Sequence, residues 1–208
     1  MLATGSYPFV PPIPGNDLAG CFVHRTLDDL DSYRRPCRRG EERVVIGGGL
    51  LGLEAANALK QLGLETQVVE FAPNLMAVQL DNGGAAMLRE KIVALGVGCI
   101  PAKRPPPSCA EADGLRLNFA DGGALPDRHG GLLGGDPPAG RARPAARALA
   151  GGRTRGIHID GQCRTSDPDV LAIGECTLWD NKIYGLVAPG YQMAAHRRGH
   201  SRRRGRLL

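Results

Sequence analysis

Six residues, Gly47-Gly48-Gly49-Leu50-Leu51-Gly52, lie between the apolar triplet Val44-Val45-Ile46 and the helix-like stretch Leu53 to Leu62. A carboxylate, Glu70, closes the next apolar run eighteen residues after Gly52. The chemistry this order suits is the holding of a dinucleotide. A strand must turn sharply into a helix at Gly47, backbone must come close to a pyrophosphate at Gly49, and helix must pack on strand at Gly52; side chains would obstruct all three. The helix N-terminus then offers N–H groups and a partial positive charge to the phosphates. Glu70 ends the strand-like Thr66-Gln67-Val68-Val69, where an acid can accept hydrogen bonds from the ribose hydroxyls and would repel a 2′-phosphate. No Arg or Lys in Phe71 to Leu75 would neutralise that phosphate, so NADH is favoured over NADPH. Glu54 has two readings: it orients the loop, or it is a first-turn carboxylate favoured by the helix dipole. In a chain with 30 glycines a lone glycine triplet would be weak evidence. The weight comes from strand, turn, helix, second strand and acid falling in order.

The remaining composition narrows the chemistry. The 208 residues suit one domain, or one domain with pieces of another, and 42% apolar residues are enough for a core. Aromatics are only 4%, and 30 glycines with 16 prolines approach the level of low-complexity sequence. The net charge of +5 belongs to the C-terminus, because 194–208 holds six arginines and no acid; removing them leaves −1 for the rest. Without aromatic residues to stack bases, such a tail does not specify a nucleic-acid partner. Six cysteines (21, 37, 99, 109, 163, 176) form no C-x-x-C pair and no zinc-like Cys/His spacing, so neither a dithiol redox centre nor a metal site is expected. No secretory signal or membrane-length apolar run is present, which implies a cytoplasmic location and no membrane partner. His24, His129, His158, His196 and His200 are scattered, and no residue stands out as a catalytic acid, base or nucleophile.

These residues need a framework, and the pattern supplies one. Val44–Ile46, Leu50–Leu62, Thr66–Glu70, Gly84–Leu95 and Val97–Ile100 read as strand, helix, strand, helix, strand, which specifies a parallel sheet with helical crossovers. Before it come a strand-like start, Met1 to Gly5, a Pro-rich extended segment, and a short helix with Thr26 as N-cap and Asp29 three residues on. After it, Leu115 to Phe119 followed by Asp121-Gly122 reads as a strand entering a hairpin. Periodicity vanishes between Pro126 and Arg155 and resumes at Ile157 to Asp160. Thr165 to Cys176 reads as a turn, a buried strand and a glycine-acid end, and Gly185 to Ala195 as the start of a helix.

In these motifs the chain resembles the pyridine nucleotide-disulfide oxidoreductase superfamily of FAD- and NAD-binding flavoproteins, and within it the large subunit of NADH-dependent assimilatory nitrite reductase. Leu2-Ala3-Thr4-Gly5-Ser6 is similar to the family's A-T-G strand beside the flavin, Gly47 to Gly52 with Glu54 and Glu70 to its NAD fingerprint, and Ile173-Gly174-Glu175 to the strand end that holds the flavin ribityl chain. Leu50 to Leu59 and Tyr184 to Met193 point to the nitrite-reductase branch rather than to ferredoxin or rubredoxin reductases. The resemblance implies an α/β fold in which a Rossmann-like NAD(H) domain, 36–155, is inserted between FAD-domain segments 1–35 and 156–193, with 194–208 an unstructured basic tail. It implies NAD contacts at Gly47, Gly49, Gly52, Glu54 and Glu70, and FAD contacts at Thr4, Gly5, Gly174 and Glu175. The expected function is hydride transfer from NADH to FAD, with electrons passing onward for nitrite reduction to ammonia. A ferredoxin- or rubredoxin-type reductase and a non-catalytic NAD-binding fragment are the alternatives. The expected partners are NADH and, in the family, a small nitrite reductase subunit or another electron acceptor.

Three departures from the family pattern qualify this. Its first GxGxxG, for the FAD pyrophosphate, would precede Met1, and its sirohaem and iron-sulfur part would follow Leu208, so the flavin site is expected to be incomplete and the nitrite-reducing centre absent. Where the family has an apolar strand and a G-x-x-P turn, this chain has His129 to Arg143. Permitted codons for those residues, read one base on, give a string of the family type. A reading-frame slip near Asp127, restored near Arg155, is one explanation, with similar disturbance at Pro101 to Ala112 and after Met193; a divergent Pro/Gly loop is the other. Loss of that strand predicts an unfilled position at a sheet edge.

Overall fold

The structure, a computed structural model, describes all residues except 7, 9, 11, 35–38, 102–107, 112–113, 120–123, 128–131, 134–155 and 204–208. The turn expected at Asp121-Gly122, His129, Cys37 and most of the Gly/Pro-rich block lie outside the described residues. The chain forms two compact units, one of Pro8–Asp136 and one joining Met1–Tyr7 to Pro137–Leu208. The segment 8–34, grouped by sequence with the flavin-domain start, thus belongs to the same unit as the glycine run.

The centre of Pro8–Asp136 is a five-stranded parallel sheet built from β1 (Phe22–Val23), β2 (Glu42–Ile46), β3 (Glu65–Glu70), β4 (Gly98–Pro101) and β8 (Leu132–Leu133), in the order β1-β8-β2-β3-β4. The apolar run of β2 fits a strand covered on both faces. Val45 and Val68 pack against Tyr33 of α1 (Leu27–Arg34) and Ala55, Ala56 and Leu59 of α2 (Leu50–Gln61), with Leu88 and Ile92 of α3 (Asn82–Ala94) alongside. Val44, Ile46 and Val69 face the other way, against Ile13, Leu117 and Phe119. Leu117 belongs to a three-stranded antiparallel sheet of β5 (Ser108–Glu111), β6 (Gly114–Asn118) and β7 (Ala124–Asp127). This unit is therefore three layers: helices, parallel sheet, antiparallel sheet.

Local signals set the helix limits. Thr26 and Asp29 form a reciprocal capping pair, with Asp29 N–H donating to Thr26 Oγ1 at 3.1 Å and Thr26 N–H to Asp29 Oδ2 at 2.7 Å. Asp81 caps α3 by accepting from Gly84 N–H at 2.8 Å. Both α2 and α3 end in Leu-Gly-apolar: Gly63 N–H donates to Lys60 O and Leu64 N–H to Leu59 O, and the same pair of bonds joins Gly96 to Val93 and Val97 to Ile92.

Ala124–Asp127 pairs with β6 as the second strand of the expected hairpin, and Ser108–Glu111 adds a third strand. One expectation about the irregular middle of the chain is corrected. The sheet position expected to stay unfilled is held by Leu132–Leu133, and it is internal, pairing with β1 on one side and β2 on the other. Two residues suffice because backbone hydrogen bonding needs no side-chain pattern.

In the other unit β9 (Ile157–His158) pairs in parallel with β10 (Thr177–Leu178), and Leu2 forms a parallel bridge with Ala172. Ile157, Ala172 and Cys176 make its small core with Leu2 and Ile159. Ile173-Gly174-Glu175 is the end of this short parallel pairing: Ile173 is extended, its N–H donates to Leu2 O, and a 3-10 turn follows at Gly174–Cys176. One correction falls here. The C-terminal segment expected to be unstructured from 194 continues α4 (Val187–Arg203), so its arginines through Arg203 extend a helix.

Candidate functional site

At the carboxyl end of β2 the chain turns through Gly47, whose φ of 107° is open to glycine but strained for other residues. Gly47 N–H donates to Val69 O at 2.8 Å, so the turn is stitched to the adjacent strand. Gly48 is tightly confined. A Cβ there would lie 2.4 Å from Leu75 Cδ2 and 3.0 Å from Glu70 Oε2. Its N–H donates to Glu70 Oε2 at 2.5 Å, and its carbonyl accepts from Met76 N–H at 2.9 Å. Sequence reasoning assigned roles to Gly47, Gly49 and Gly52 and passed over Gly48; the signal was the third consecutive glycine, one more than the fingerprint requires.

Gly49 is the N-cap of α2 and brings no side chain to its N–H groups. A glycine cap leaves that end open to an anion, whereas Ser or Asp would occupy it. Gly52 is buried in the first turn, on the side of Ala55, Ala56 and Leu59. Glu70 stands at the tip of β3, half-buried, its second oxygen accepting from Ala72 N–H at 2.7 Å. The carboxylate thus fixes the glycine turn and the loop after β3 together. Gly47, Gly49 and Glu70 lie together at this end of the sheet, with Gly48 joining them through its bond to Glu70. Glu54 does not fit its first-turn reading: α2 begins at Leu50 and has no acid in its first turn, so Glu54 lies in the second, exposed.

His24 was not singled out by sequence, because its neighbours come from other elements. It follows β1 at the same end of the sheet, and its Nδ1 lies 3.0 Å from the hydroxyl of buried Tyr33 in α1. Burial pushes the imidazole below its ordinary value of 6.5, opposed by the carboxylates of Glu54 and Asp29.

The flavin-type residues converge within their own unit. Leu2 N–H donates to Leu171 O at 2.6 Å and Ile173 N–H to Leu2 O at 2.9 Å, which sets Thr4 and Gly5 beside Gly174 and Glu175. Ser6 Oγ donates to Glu175 Oε2 at 2.7 Å. Gly174 N–H meets Met193 Sδ of α4 at 3.4 Å, and a Cβ on Gly190 would lie 3.5 Å from Gly174 Cα. Among the described residues no group of three or more His, Cys, Asp or Glu could hold a metal ion, and no helix is long and apolar enough to cross a membrane.

A parallel sheet whose first crossover opens with a glycine turn, an uncapped helix and an acid on the next strand defines a dinucleotide-binding α/β protein. Residues 1–197 match the pyridine nucleotide-disulphide oxidoreductases, and the chain belongs to that family. It is 65% identical over 197 residues to the nitrite reductase [NAD(P)H] large subunit of Klebsiella oxytoca, covering 95% of this chain and 20% of that protein. Identity to the nitrite reductase (NADH) large subunit of Escherichia coli is 48% over 197 residues, 93% of this chain and 23% of that one. Among solved structures, a ferredoxin reductase from Rhodopseudomonas palustris superposes with a TM-score of 0.81 at 28% identity, covering all of this chain and 52% of that one. The chain therefore spans about a fifth of the length of these nitrite reductase relatives.

Proposed function

We propose that Pro8–Asp136 docks NADH for the flavin-reducing section of a nitrite reductase large subunit. The observation that carries this is the Glu70 carboxylate, placed at the tip of β3 and bonded into the glycine turn that opens α2. Gly47, Gly48 and Gly49 let backbone approach the pyrophosphate, the open end of α2 meets its charge, and Gly52 keeps helix and sheet close. Glu70 has further lone pairs for ribose hydroxyls, and its charge disfavours a 2′-phosphate. Glu54, exposed in the second turn, is within electrostatic reach of His24. The residues present fit NADH.

Thr4, Gly5, Gly174 and Glu175 would line one side of FAD, with Ser6 Oγ donating to Glu175 Oε2 and so orienting the carboxylate that would meet a ribityl hydroxyl. Bound FAD supplies the hydride acceptor and releases electrons singly; the chain's own residues bind and orient. Identity of 65% to a nitrite reductase large subunit supports onward transfer to nitrite, giving ammonia, with a small subunit or another acceptor as partner. Calorimetric titration of the purified chain with NADH and NADPH tests the docking. Tighter NADH binding is expected; equal or tighter NADPH binding would overturn the assignment of Glu70, and failure of both to bind would overturn the site.

A further inference from the structure

The strand register places His24 in the same site. Val23 pairs with Leu133, and Leu133 with Ile46, so the residue after β1 is level with Gly47, the residue after β2. Two strand spacings, roughly 10 Å, separate them. The sheet order reverses at β2: β3 and β4 lie on one side, β8 and β1 on the other. Ligands of open parallel sheets lie across such a reversal, outside the carboxyl ends. If Glu70 on β3 holds the adenosine ribose and the start of α2 holds the pyrophosphate, the nicotinamide half continues towards β8 and β1. That end carries His24.

Two features fix the imidazole there. Its Nδ1 meets the Tyr33 hydroxyl at 3.0 Å, and Tyr33 is 1% exposed, packed edge-on against Phe22. Among the described residues, the titratable groups facing the ring are Tyr33 and Asp29 from α1 and Glu54 from α2, with Arg25 next in the chain. With Glu54, Asp29 and Arg25 counted together, this corner is net negative when His24 is neutral and close to neutral when His24 is protonated.

We propose that His24, positioned by Tyr33 and facing Glu54, makes the site's preference between oxidised and reduced nicotinamide depend on pH. This rests on the NADH-docking reading. The oxidised ring carries a positive charge and the reduced ring none. A neutral His24 beside Glu54 favours the cation, and protonation cancels that advantage while leaving the uncharged ring unaffected. Release of the oxidised dinucleotide is thereby favoured as pH falls. The ratio Kd(NAD+)/Kd(NADH) changes about threefold for unit charges some 6 Å apart at the dielectric of water, and by more in a drier site.

The test is calorimetry on the full chain with NAD+, NADH and ADP-ribose, well above and well below the ordinary histidine value of 6.5. ADP-ribose shares the adenosine and pyrophosphate but lacks the nicotinamide, so it reports whether the rest of the site is intact. The expected result is a ratio that rises on acidification, becomes flat in His24→Asn and His24→Gln, and is raised throughout in Glu54→Gln, with ADP-ribose still bound by every protein. A flat ratio in the parent chain, or the same pH dependence in both His24 variants, with ADP-ribose still bound, overturns the role of His24 alone. Loss of ADP-ribose and NADH binding together in the parent chain overturns the docking reading beneath it.

Discussion

Gly48→Ala is the sharpest perturbation of the site. The new Cβ would sit 2.4 Å from Leu75 Cδ2, 3.0 Å from Glu70 Oε2 and 3.3 Å from Glu70 Cβ. Carbon atoms pack best at about 3.5–4.0 Å, so Leu75 must move by more than an ångström. Leu75 is 6% exposed and belongs to the core cluster with Leu59, Val68 and Val97, so moving it forces overpacking of about 1–3 kcal/mol. The Glu70 carboxylate must retreat as well, weakening a bond from Gly48 N–H of the charge-assisted kind, worth about 1.5–3 kcal/mol. Together the loss is about 2–5 kcal/mol, which lowers the urea midpoint by about 1–2 M at an ordinary denaturant slope. NADH affinity should fall too, because the displaced atoms form the glycine turn. A double-mutant cycle isolates the cause. Leu75→Ala removes the clashing methyl, so adding Gly48→Ala to it should cost about 1–3 kcal/mol less than in the parent. Strict additivity of the two substitutions in urea unfolding would refute this account of why Gly48 is glycine.

Other expectations follow from the same contacts. Glu70→Arg should reverse the preference between NADH and NADPH in calorimetry, and lower stability because Gly48 N–H and Ala72 N–H lose their acceptor. Thr26→Ala removes half of the reciprocal cap of α1 and should cost about 1 kcal/mol in urea unfolding. Leu59→Ala, at a position 0% exposed between α2 and the sheet, should cost about 2–5 kcal/mol in the same assay. His24 has its folded-state value lowered by burial, so the unfolded chain takes up the proton first as pH falls. Its stabilising contribution is complete above the ordinary value of 6.5 and is lost as pH drops from there through the folded value. His24→Asn should remove that part of the acid sensitivity of the urea midpoint.

What the sequence determined by itself was whatever depends on near neighbours along the chain. The apolar Val44-Val45-Ile46, the glycine run and Glu70 defined the first crossover because turn, helix start and strand tip are consecutive events. The Thr26/Asp29 cap was legible for the same reason, as a bond pair three residues apart. Glu54 falls just past the first turn of α2, because the cap at Gly49 starts the helix at Leu50. Leu132–Leu133 carried no legible signal, since two residues have no period; their place between β1 and β2 comes from hydrogen bonds to strands nearly ninety and over a hundred residues earlier. Gly48 looked redundant until Leu75 and Glu70 came back over it. His24, Tyr33 and Glu54 lie on three separate elements, and Ser6 meets Glu175 across most of the chain. Local spacing can specify a turn, but only packing of the folded chain decides which distant side chains share a charge, a proton or a methyl-sized space.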